Sequence, residues 1–273
     1  MQKNKLKKQL EWFCGFSEGD GSWNICLHNK KVSNCSFIIN QKKSSVLYKI
    51  KKLVGYGSVN GPYFALDGSR YYRYYVGSLR GTAILINIFN GELVLDKCRN
   101  SFSNYVAGYN IIAGRTTNKA LPIKVINKGK IPSFKSGWLS GFIDAEGCFN
   151  AYYRYNNCKV SRIGVRFALG QSYANYTMAY ITGLFDGTCS DYKKSSHTRL
   201  WIEKRKEKRR LINYLDNYPL RSNKVIAYSK WKKIFVRLTD GSYKSRMLSV
   251  RSRKRLFRLV DSLQLFNSGR ESR

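Results

Sequence analysis

Two short segments of this chain repeat one pattern of small, apolar and acidic residues. The first reads Phe13-Cys14-Gly15-Phe16-Ser17-Glu18-Gly19-Asp20-Gly21, and the second reads Leu139-Ser140-Gly141-Phe142-Ile143-Asp144-Ala145-Glu146-Gly147. Their last acids, Asp20 and Glu146, lie 126 residues apart. Carboxylates at matching positions of two half-chains can converge on one pseudo-two-fold axis. The repeat therefore predicts a paired, metal-binding active site.

The repetition extends well beyond the two motifs. After each motif, apolar and polar residues alternate as expected for half-buried strands, and a second strand, a helix, two more strands and helical segments follow. Leu85-Ile86-Asn87 recurs as Leu211-Ile212-Asn213, again at a separation of 126 residues. This register predicts a duplicated, mixed α+β chain with half-domains at residues 1–113 and 136–240. A turn-forming basic linker at 114–135 and a basic extension at 241–273, with a helix near Leu256 to Leu265, complete the prediction.

The glycines of each motif predict close contact between two helices. Gly15 and Gly19 share one helix face, and small residues at that spacing let helix backbones approach. Gly21 and Gly147 are expected to end the helices in left-handed caps. Asp20 and Glu146 would then meet beside the C-terminal ends of two helices, which carry partial negative charge. A divalent cation would offset the resulting electrostatic repulsion. The alternative is that both acids only cap turns.

The charge of the chain indicates a polyanionic partner. Lys and Arg total 50 against 16 Asp and Glu, a formal net charge of +34, which favours nucleic acid. An anionic membrane is the alternative, but there is no run of 18 apolar residues and no long basic amphipathic helix with a clean apolar face. The basic N-terminus lacks the apolar region of a secretory signal and makes a poor transit peptide.

Several other classes of site lack the residues they need. The seven cysteines form no CxxC pair and there are only two histidines, so a zinc finger or a histidine-based metal nuclease is not expected. Most of the cysteines lie among apolar residues, as in a reducing compartment. No nucleotide-binding loop is present, so no nucleotide cofactor is expected.

The two motifs resemble the signature of LAGLIDADG homing endonucleases in their single-chain, two-motif form. The resemblance covers the whole chain and implies an αββαββα fold in each half, with two antiparallel sheets forming a saddle over the DNA major groove. It implies that Asp20 and Glu146 hold Mg²⁺ or Mn²⁺ with the backbone carbonyls of Gly19 and Ala145. The last acids differ, one Asp and one Glu, which leaves unequal metal affinity or unequal strand cleavage open.

Further catalytic residues follow from the same resemblance. Gln41 and Gln171 match a polar residue that ends the second strand near the scissile phosphates. Lys204 fits a basic catalytic residue that the family places near the end of a later strand. The matching position in the first half, 126 residues earlier, is Ser78 and not a lysine, so Arg73 or Arg80 would take this role there. Glu18 and Asp144 lie two residues before the catalytic acids, on a different helix face. They are expected to make local polar contacts at the helix ends.

The polar stripe of each predicted strand is expected to read DNA. Arginine on guanine and asparagine on adenine would each contribute about 1–3 kcal/mol of discrimination, with phosphate contact or plain solvation as the alternative. The outward stripe also includes Gly164 and Ala168, and linker and tail lysines would contact phosphates. The predicted DNA contacts are Ser22, Asn24, Cys26, His28, Ser36, Ile38, Asn40, Arg70, Tyr72, Asn150, Tyr152, Arg154, Arg162, Arg166, Lys193 and Arg199.

Together these features predict a monomeric, metal-dependent endonuclease for intron homing. It would make a double-strand break in an asymmetric target of about 20 base pairs of double-stranded DNA. Two alternatives remain: a maturase that binds its host intron RNA and aids splicing, and a catalytically silent DNA-binding relative. The Lys-, Asn-, Tyr- and Ile-rich composition and the family's distribution indicate an organelle gene, mitochondrial or chloroplast, and do not choose between the two.

Overall fold

Two similar runs of helices and strands make up the structure, a computed structural model that describes residues 2–116, 121–192, 196–240 and 250–268. The first half contains α1 Gln2–Asp20, β1 Gly21–His28, β2 Lys31–Gln41, α2 Ser45–Val54, β3 Ser58–Phe64, β4 Arg70–Val76, α3 Leu79–Phe89 and α4 Asp96–Ala113. The second half contains α5 Trp138–Glu146, β5 Gly147–Asn156, β6 Lys159–Ser172, α6 Asn175–Phe185, β7 Thr188–Tyr192, β8 His197–Ile202, α7 Arg205–Asn217 and α8 Lys224–Thr239. A last helix, α9, follows at Val250–Asn267.

Each half builds one four-stranded antiparallel sheet. The strand orders are β1-β2-β4-β3 and β5-β6-β8-β7. The predicted mixed, duplicated fold is confirmed. Each half has one helix more than the αββαββα pattern, because two helices follow the last strand of each sheet. No helix in the described ranges is both long and apolar enough to cross a membrane.

The motif helices α1 and α5 cross with their backbones in contact. A Cβ atom on Gly15 would lie 1.9 Å from the carbonyl oxygen of Trp138, and one on Gly141 would lie 1.9 Å from the carbonyl oxygen of Trp12. Any side chain at either glycine would force the helices apart, since such atoms cannot overlap. The predicted close packing of the two motif helices is confirmed, and it fixes the axis that relates the halves.

The glycines that follow the motif helices do not adopt the predicted left-handed caps. Gly147 has φ −73° and ψ 148°, an extended conformation that begins β5, and Gly21 is absent from the residues with positive φ. A Cβ atom on either would lie 2.6 Å from a carbonyl oxygen of the last helical turn, at Ser17 or Ile143. The glycines are needed because the chain turns directly from helix to strand over that turn.

One face of each sheet carries the hydrophobic core. Phe37 pairs with Val76 and Phe167 with Ile202, and all four side chains are fully or almost fully buried. Paired residues of antiparallel strands project to the same face. The opposite faces carry the polar stripes, so both the core and the outer faces follow from the alternation in the sequence.

Helix α9 closes the open side of β5. Leu256, Val260 and Leu263 are buried, and the side chain of Gln264 donates to the carbonyl oxygen of Ala151 at 3.1 Å. The edge strand therefore has a helix along it that supplies hydrogen bonds to its unpaired carbonyls. The helix that the sequence predicts near Leu256 to Leu265 therefore lies within α9 and packs against the second half.

Candidate active site and nucleic-acid interface

The last acids of the two motifs meet where helices α1 and α5 end. A Cβ atom on Gly19 would lie 2.4 Å from the Cβ of Ala145 and 3.3 Å from Oε1 of Glu146. The missing side chain therefore lets the ends of the helices touch. The structure brings Asp20 and Glu146 together, as the repeat predicts.

Each acid accepts a hydrogen bond from a glutamine in the last two residues of the neighbouring strand. Nε2 of Gln41 lies 2.8 Å from Oδ2 of Asp20, and Nε2 of Gln171 lies 3.1 Å from Oε1 of Glu146. The hairpin register produces both contacts, because the strand that leaves the acid pairs with the strand that ends at the glutamine. Each amide can hold one oxygen of its carboxylate in a fixed direction.

The environment of the two acids favours a bound cation. Burial raises the pKa of Asp20. Burial also raises the pKa of Glu146, and the charge of Asp20 raises it further. Carboxylate and carbonyl oxygens are the donors that Mg²⁺ and Mn²⁺ prefer. Within the described residues there is no group of three or more His, Cys, Asp or Glu that could hold a metal. A cation at this position would therefore depend on the two carboxylates and on backbone oxygens.

Lys224 is a candidate site residue that the sequence did not reveal. Its Nζ donates to the carbonyl oxygen of Ala145 at 2.8 Å. Burial lowers the pKa of Lys224, while Asp144, Asp20 and Glu146 oppose that shift. The carbonyl that the resemblance assigns to the metal therefore binds an ammonium group in this structure.

Lys97, in the first turn of α4, is the counterpart of Lys224 in the first half. Its charge lowers the pKa of Glu146, against the larger effect of burial. Lys97 and Lys224 lie 127 residues apart, nearly the repeat of the motifs. That spacing was the signal that the sequence offered. Both lysines lie in the first turn of a later helix, not at the end of a strand.

The structure places Lys204, the predicted basic catalytic residue, at the start of α7, and none of its described contacts is to Asp20 or Glu146. Lys204 is the N-cap of α7, its side chain is 72% exposed, and its Nζ lies 3.5 Å from Glu207. Ser78, its counterpart, is the N-cap of α3 and accepts a hydrogen bond from the backbone N of Gly81 at 3.2 Å. The 126-residue correspondence holds, but it relates two helix caps. Arg80, a suggested substitute, is exposed in the first turn of α3.

The outer face of the first sheet carries most of the reading residues that were predicted in the first half. Asn24 pairs with Ser36 and Asn40 pairs with Arg73. Nε of Arg73 donates to Oδ1 of Asn40 at 3.0 Å, and its guanidinium lies 5.3 Å from the ring centre of Tyr63. Exposed or half-exposed members of the face are Ser22, Asn24, Cys26, His28, Ile38 and Asn40.

Aromatic rings hold the arginines on the outer face of the second sheet. The guanidinium of Arg166 lies 4.6 Å from the ring centre of Trp201 and 5.5 Å from that of Tyr152. Arg199 also lies against Trp201, at 5.5 Å. Such contacts restrict a guanidinium before any base is present. The predicted residues on this face are Asn150, Tyr152, Arg154, Arg162, Arg166 and Arg199.

Three predicted contacts do not lie on the accessible outer face. Tyr72 pairs with Gln41 and packs against the core. Arg70 lies two residues earlier in β4 and therefore belongs to the same inner stripe. The outer stripe of β4 carries Arg73. Ser36 shares the outer stripe but is only 4% exposed, which removes it from the surface that a base can reach. Lys193 lies outside the described residues.

The C-terminal helix α9 also reaches the second sheet's outer face. Nδ2 of Asn267 donates to the carbonyl oxygen of Phe149 at 2.9 Å and to Oδ1 of Asn150 at 3.1 Å. Asn267 and Phe266 line a cleft that Asp20, Gln41 and Lys224 also line. The end of α9 therefore lies beside both the acids and a predicted reading residue.

Comparison with known families follows the duplication seen in the fold. The family model described as LAGLIDADG endonuclease matches residues 13–107 and 139–235, together more than half of the chain. Each match begins in a motif helix and extends through the sheet and helices of one half.

Two curated relatives illustrate the similarity. "Probable intron-encoded endonuclease 4" of Neurospora crassa is 29% identical over 235 residues, which is 85% of this chain and 41% of the relative. "Intron-encoded RNA maturase bI4" of Saccharomyces cerevisiae is 26% identical over 218 residues, 78% of this chain and 30% of the relative. The chain thus spans less than half the length of either protein.

Solved structures share the fold over nearly their whole length. The meganuclease I-SmaMI bound to uncleavable DNA superimposes with a TM-score of 0.71 at 16% identity, covering 94% of this chain and 98% of that chain. The LAGLIDADG meganuclease I-AabMI bound to uncleaved DNA gives 0.71 at 19% identity, covering 92% and 98%. At these identities the likeness establishes the fold alone.

Proposed function

This chain belongs to the LAGLIDADG endonuclease family, and on that premise we propose that it is a site-specific DNA endonuclease. It makes a double-strand break by divalent-metal-dependent hydrolysis of one phosphodiester in each strand. The observation that carries the proposal is the meeting of Asp20 and Glu146, each hydrogen-bonded to its own glutamine. A single buried acid could be explained as a helix cap. Two matched pairs of an acid and a glutamine are what an enzyme that cuts both strands of DNA would need.

The metal site of this proposal uses oxygen donors from both halves. Asp20 and Glu146 would hold Mg²⁺ or Mn²⁺, with the carbonyl oxygen of Gly19 as a further donor. The carbonyl of Ala145 joins this set only if Lys224 releases it. A bound divalent cation lowers the pKa of a water molecule and stabilises the charge that develops at phosphorus.

The side chains around the acids supply orientation and positive charge. Gln41 and Gln171 would each fix one oxygen of a carboxylate, which leaves the remaining lone pairs free to bind the metal ion. Lys224, whose ammonium lies against the end of α5, places a positive charge where a pentacovalent phosphate would carry its extra negative charge. Fixed charges in a partly buried site act strongly because little reorganisation is needed.

DNA recognition in this proposal divides between the net charge and the outer faces of the sheets. The net charge of +34 supplies sequence-independent attraction to phosphates, which falls steeply with added salt. The arginines held by aromatic rings read bases. Because the two outer faces differ, the target is a long asymmetric duplex of about 20 base pairs. One chain supplies both acids, so the protein acts as a monomer.

The same proposal includes that an intron of an organelle gene encodes this chain. Several relatives are named as intron-encoded proteins, which supports intron homing from an organelle gene.

A second function is supported by one relative. The similarity to "Intron-encoded RNA maturase bI4" covers 78% of this chain, so we also propose that the host intron RNA can be a ligand. In that case RNA binding would not need Asp20 or Glu146, since those residues serve hydrolysis.

Selection from a randomised duplex library in Mg²⁺ tests the main proposal. The wild-type protein should yield one asymmetric cleaved sequence, and Asp20→Asn and Glu146→Gln should bind that sequence without cutting it. Failure of the wild type to cut any member, with binding intact, would contradict the endonuclease function. Splicing of a cognate intron that persists in Asp20→Asn would support the maturase function.

A further inference from the structure

Asp144 ties the end of its motif helix to the start of helix α8. Its side chain is only 3% exposed. Oδ2 accepts hydrogen bonds from the backbone N of Arg221 at 2.5 Å and of Ser222 at 3.0 Å, and Oδ1 accepts from the hydroxyl of Ser222. Helix α8 begins two residues later at Lys224, so the carboxylate anchors the turn from which that lysine enters the site.

Glu18 makes the corresponding connection in the first half. It is 2% exposed, and its Oε1 accepts from the backbone N of Leu95 at 2.7 Å and of Val94 at 3.0 Å. Helix α4 starts directly afterwards and carries Lys97 in its first turn. The contacts of Glu18 and Asp144 are therefore not the local ones that the sequence suggested, because they span more than 70 residues.

Each of these carboxylates also binds a tryptophan from the opposite half. Nε1 of Trp12 donates to Oδ2 of Asp144 at 3.0 Å, and Nε1 of Trp138 donates to Glu18. Trp12 and Trp138 are themselves 126 residues apart. The same three-way junction therefore occurs twice, and it joins a motif helix, the helix that carries a lysine, and the other half's motif helix.

From this geometry we propose that Asp144 and Glu18 are positioning residues for the two lysines, Asp144 for Lys224 and Glu18 for Lys97. The unpaired N–H groups before a helix need acceptors, and a buried carboxylate fixes where that helix starts. Loss of the carboxylate leaves buried donors without a partner, so the first turn of the helix moves away from the paired acids. The consequence for cleavage rests on the proposed endonuclease function, whereas the positioning itself does not.

Lysine modification in the intact protein tests the positioning directly. Acetylation with acetic anhydride, read by mass spectrometry, should rise several-fold at Lys224 in Asp144→Asn and at Lys97 in Glu18→Gln. Lys208 is the control, because its Nζ donates to the carbonyl oxygen of Val165 at 2.7 Å in a separate part of the core. Equal changes at all three lysines, or none at the lysine paired with the variant, would overturn the proposal.

Milder variants keep the test decisive if a buried acid proves essential for folding. Trp12→Phe and Trp138→Phe keep an aromatic ring and remove only the indole N–H. Trp12→Phe should increase modification at Lys224, and Trp138→Phe at Lys97, each less than the acid variant does. Increases at the opposite lysine would contradict the assignment.

A double-mutant cycle tests the consequence for cleavage. Asp144→Asn should slow single-turnover cleavage roughly ten- to a hundredfold, as losses of supporting hydrogen bonds around a site commonly do. In a protein that already carries Lys224→Met, Asp144→Asn should slow cleavage by less than about a further twofold, because the effects of coupled residues are not additive. Full additivity would overturn the proposal. If the wild type does not cleave, the endonuclease function fails while the acetylation pattern still decides the positioning.

Discussion

The ammonium group of Lys224 lies 2.8 Å from the carbonyl oxygen of Ala145, the residue directly before Glu146. Lys204, which the family resemblance favoured, stands at the exposed start of α7. We expect Lys224→Met to slow cleavage by roughly a hundredfold, as loss of a fixed charge near developing negative charge does. Lys204→Met is the matched control and should change the rate less than about twofold.

Single-turnover cleavage, measured beside gel-shift affinity without metal, separates these outcomes. Lys224→Met should bind DNA nearly as tightly as the wild type, since one charge of a large excess is removed. An equal effect of both lysine variants on the rate would contradict a special position for Lys224.

The contact between the motif helices predicts opposite effects for two glycine substitutions. Gly15→Ala would place a Cβ atom 1.9 Å from the carbonyl oxygen of Trp138 and should lower the free energy of unfolding by about 3 kcal/mol or more. Gly183→Ala, within α6, has nothing within 4 Å and should raise it by up to about 1 kcal/mol. Urea denaturation measures both, and stabilisation by Gly15→Ala would contradict the helix crossing.

The raised pKa values of Asp20 and Glu146 predict how stability depends on pH without metal. The folded chain binds protons that the unfolded chain has released, so its stability falls as pH rises above the ordinary carboxyl range. In a chelator, we expect a lower melting temperature at about pH 8 than at about pH 5, and a smaller difference in the Asp20→Asn, Glu146→Gln double variant.

Adding Mg²⁺ to the same samples tests the metal site. Metal competes with protons for the carboxylates, so it should raise the melting temperature more at the higher pH. The double variant should show little response. A wild-type melting temperature that Mg²⁺ leaves unchanged at both pH values would speak against these acids as metal ligands.

The arginine held between Trp201 and Tyr152 predicts a local change in specificity. Arg166→Lys should lose about 1–3 kcal/mol of discrimination at one base pair, because lysine cannot reproduce a bidentate contact with guanine. Arg253→Lys, on the exposed side of α9, should leave the preference unchanged. Cleavage of a target library with all single substitutions measures both, and a uniform loss of affinity for Arg166→Lys would indicate a phosphate contact instead.

The sequence alone determined the duplication, the order of strands and helices, and the pairing of Asp20 with Glu146. These features are periodic or repeated, and periodicity reflects which side of an element faces the core. The four-residue spacing of Gly15 and Gly19 likewise predicted backbone contact between two helices. The alternation also placed Gln41 and Gln171 within one residue of the ends of the second strands.

Only the tertiary structure decided which charged side chains enter the site. Lys204 shares the repeat with Ser78, yet both are helix caps, whereas Lys224 reaches the acids from a helix that starts some 78 residues after Glu146. Glu18 and Asp144 looked like local contacts but bind tryptophans from opposite halves. The pattern of residues along the sequence predicts which face of a helix or strand a residue occupies. It does not predict which distant helix end packs against that face, because this packing depends on how α1 and α5 cross.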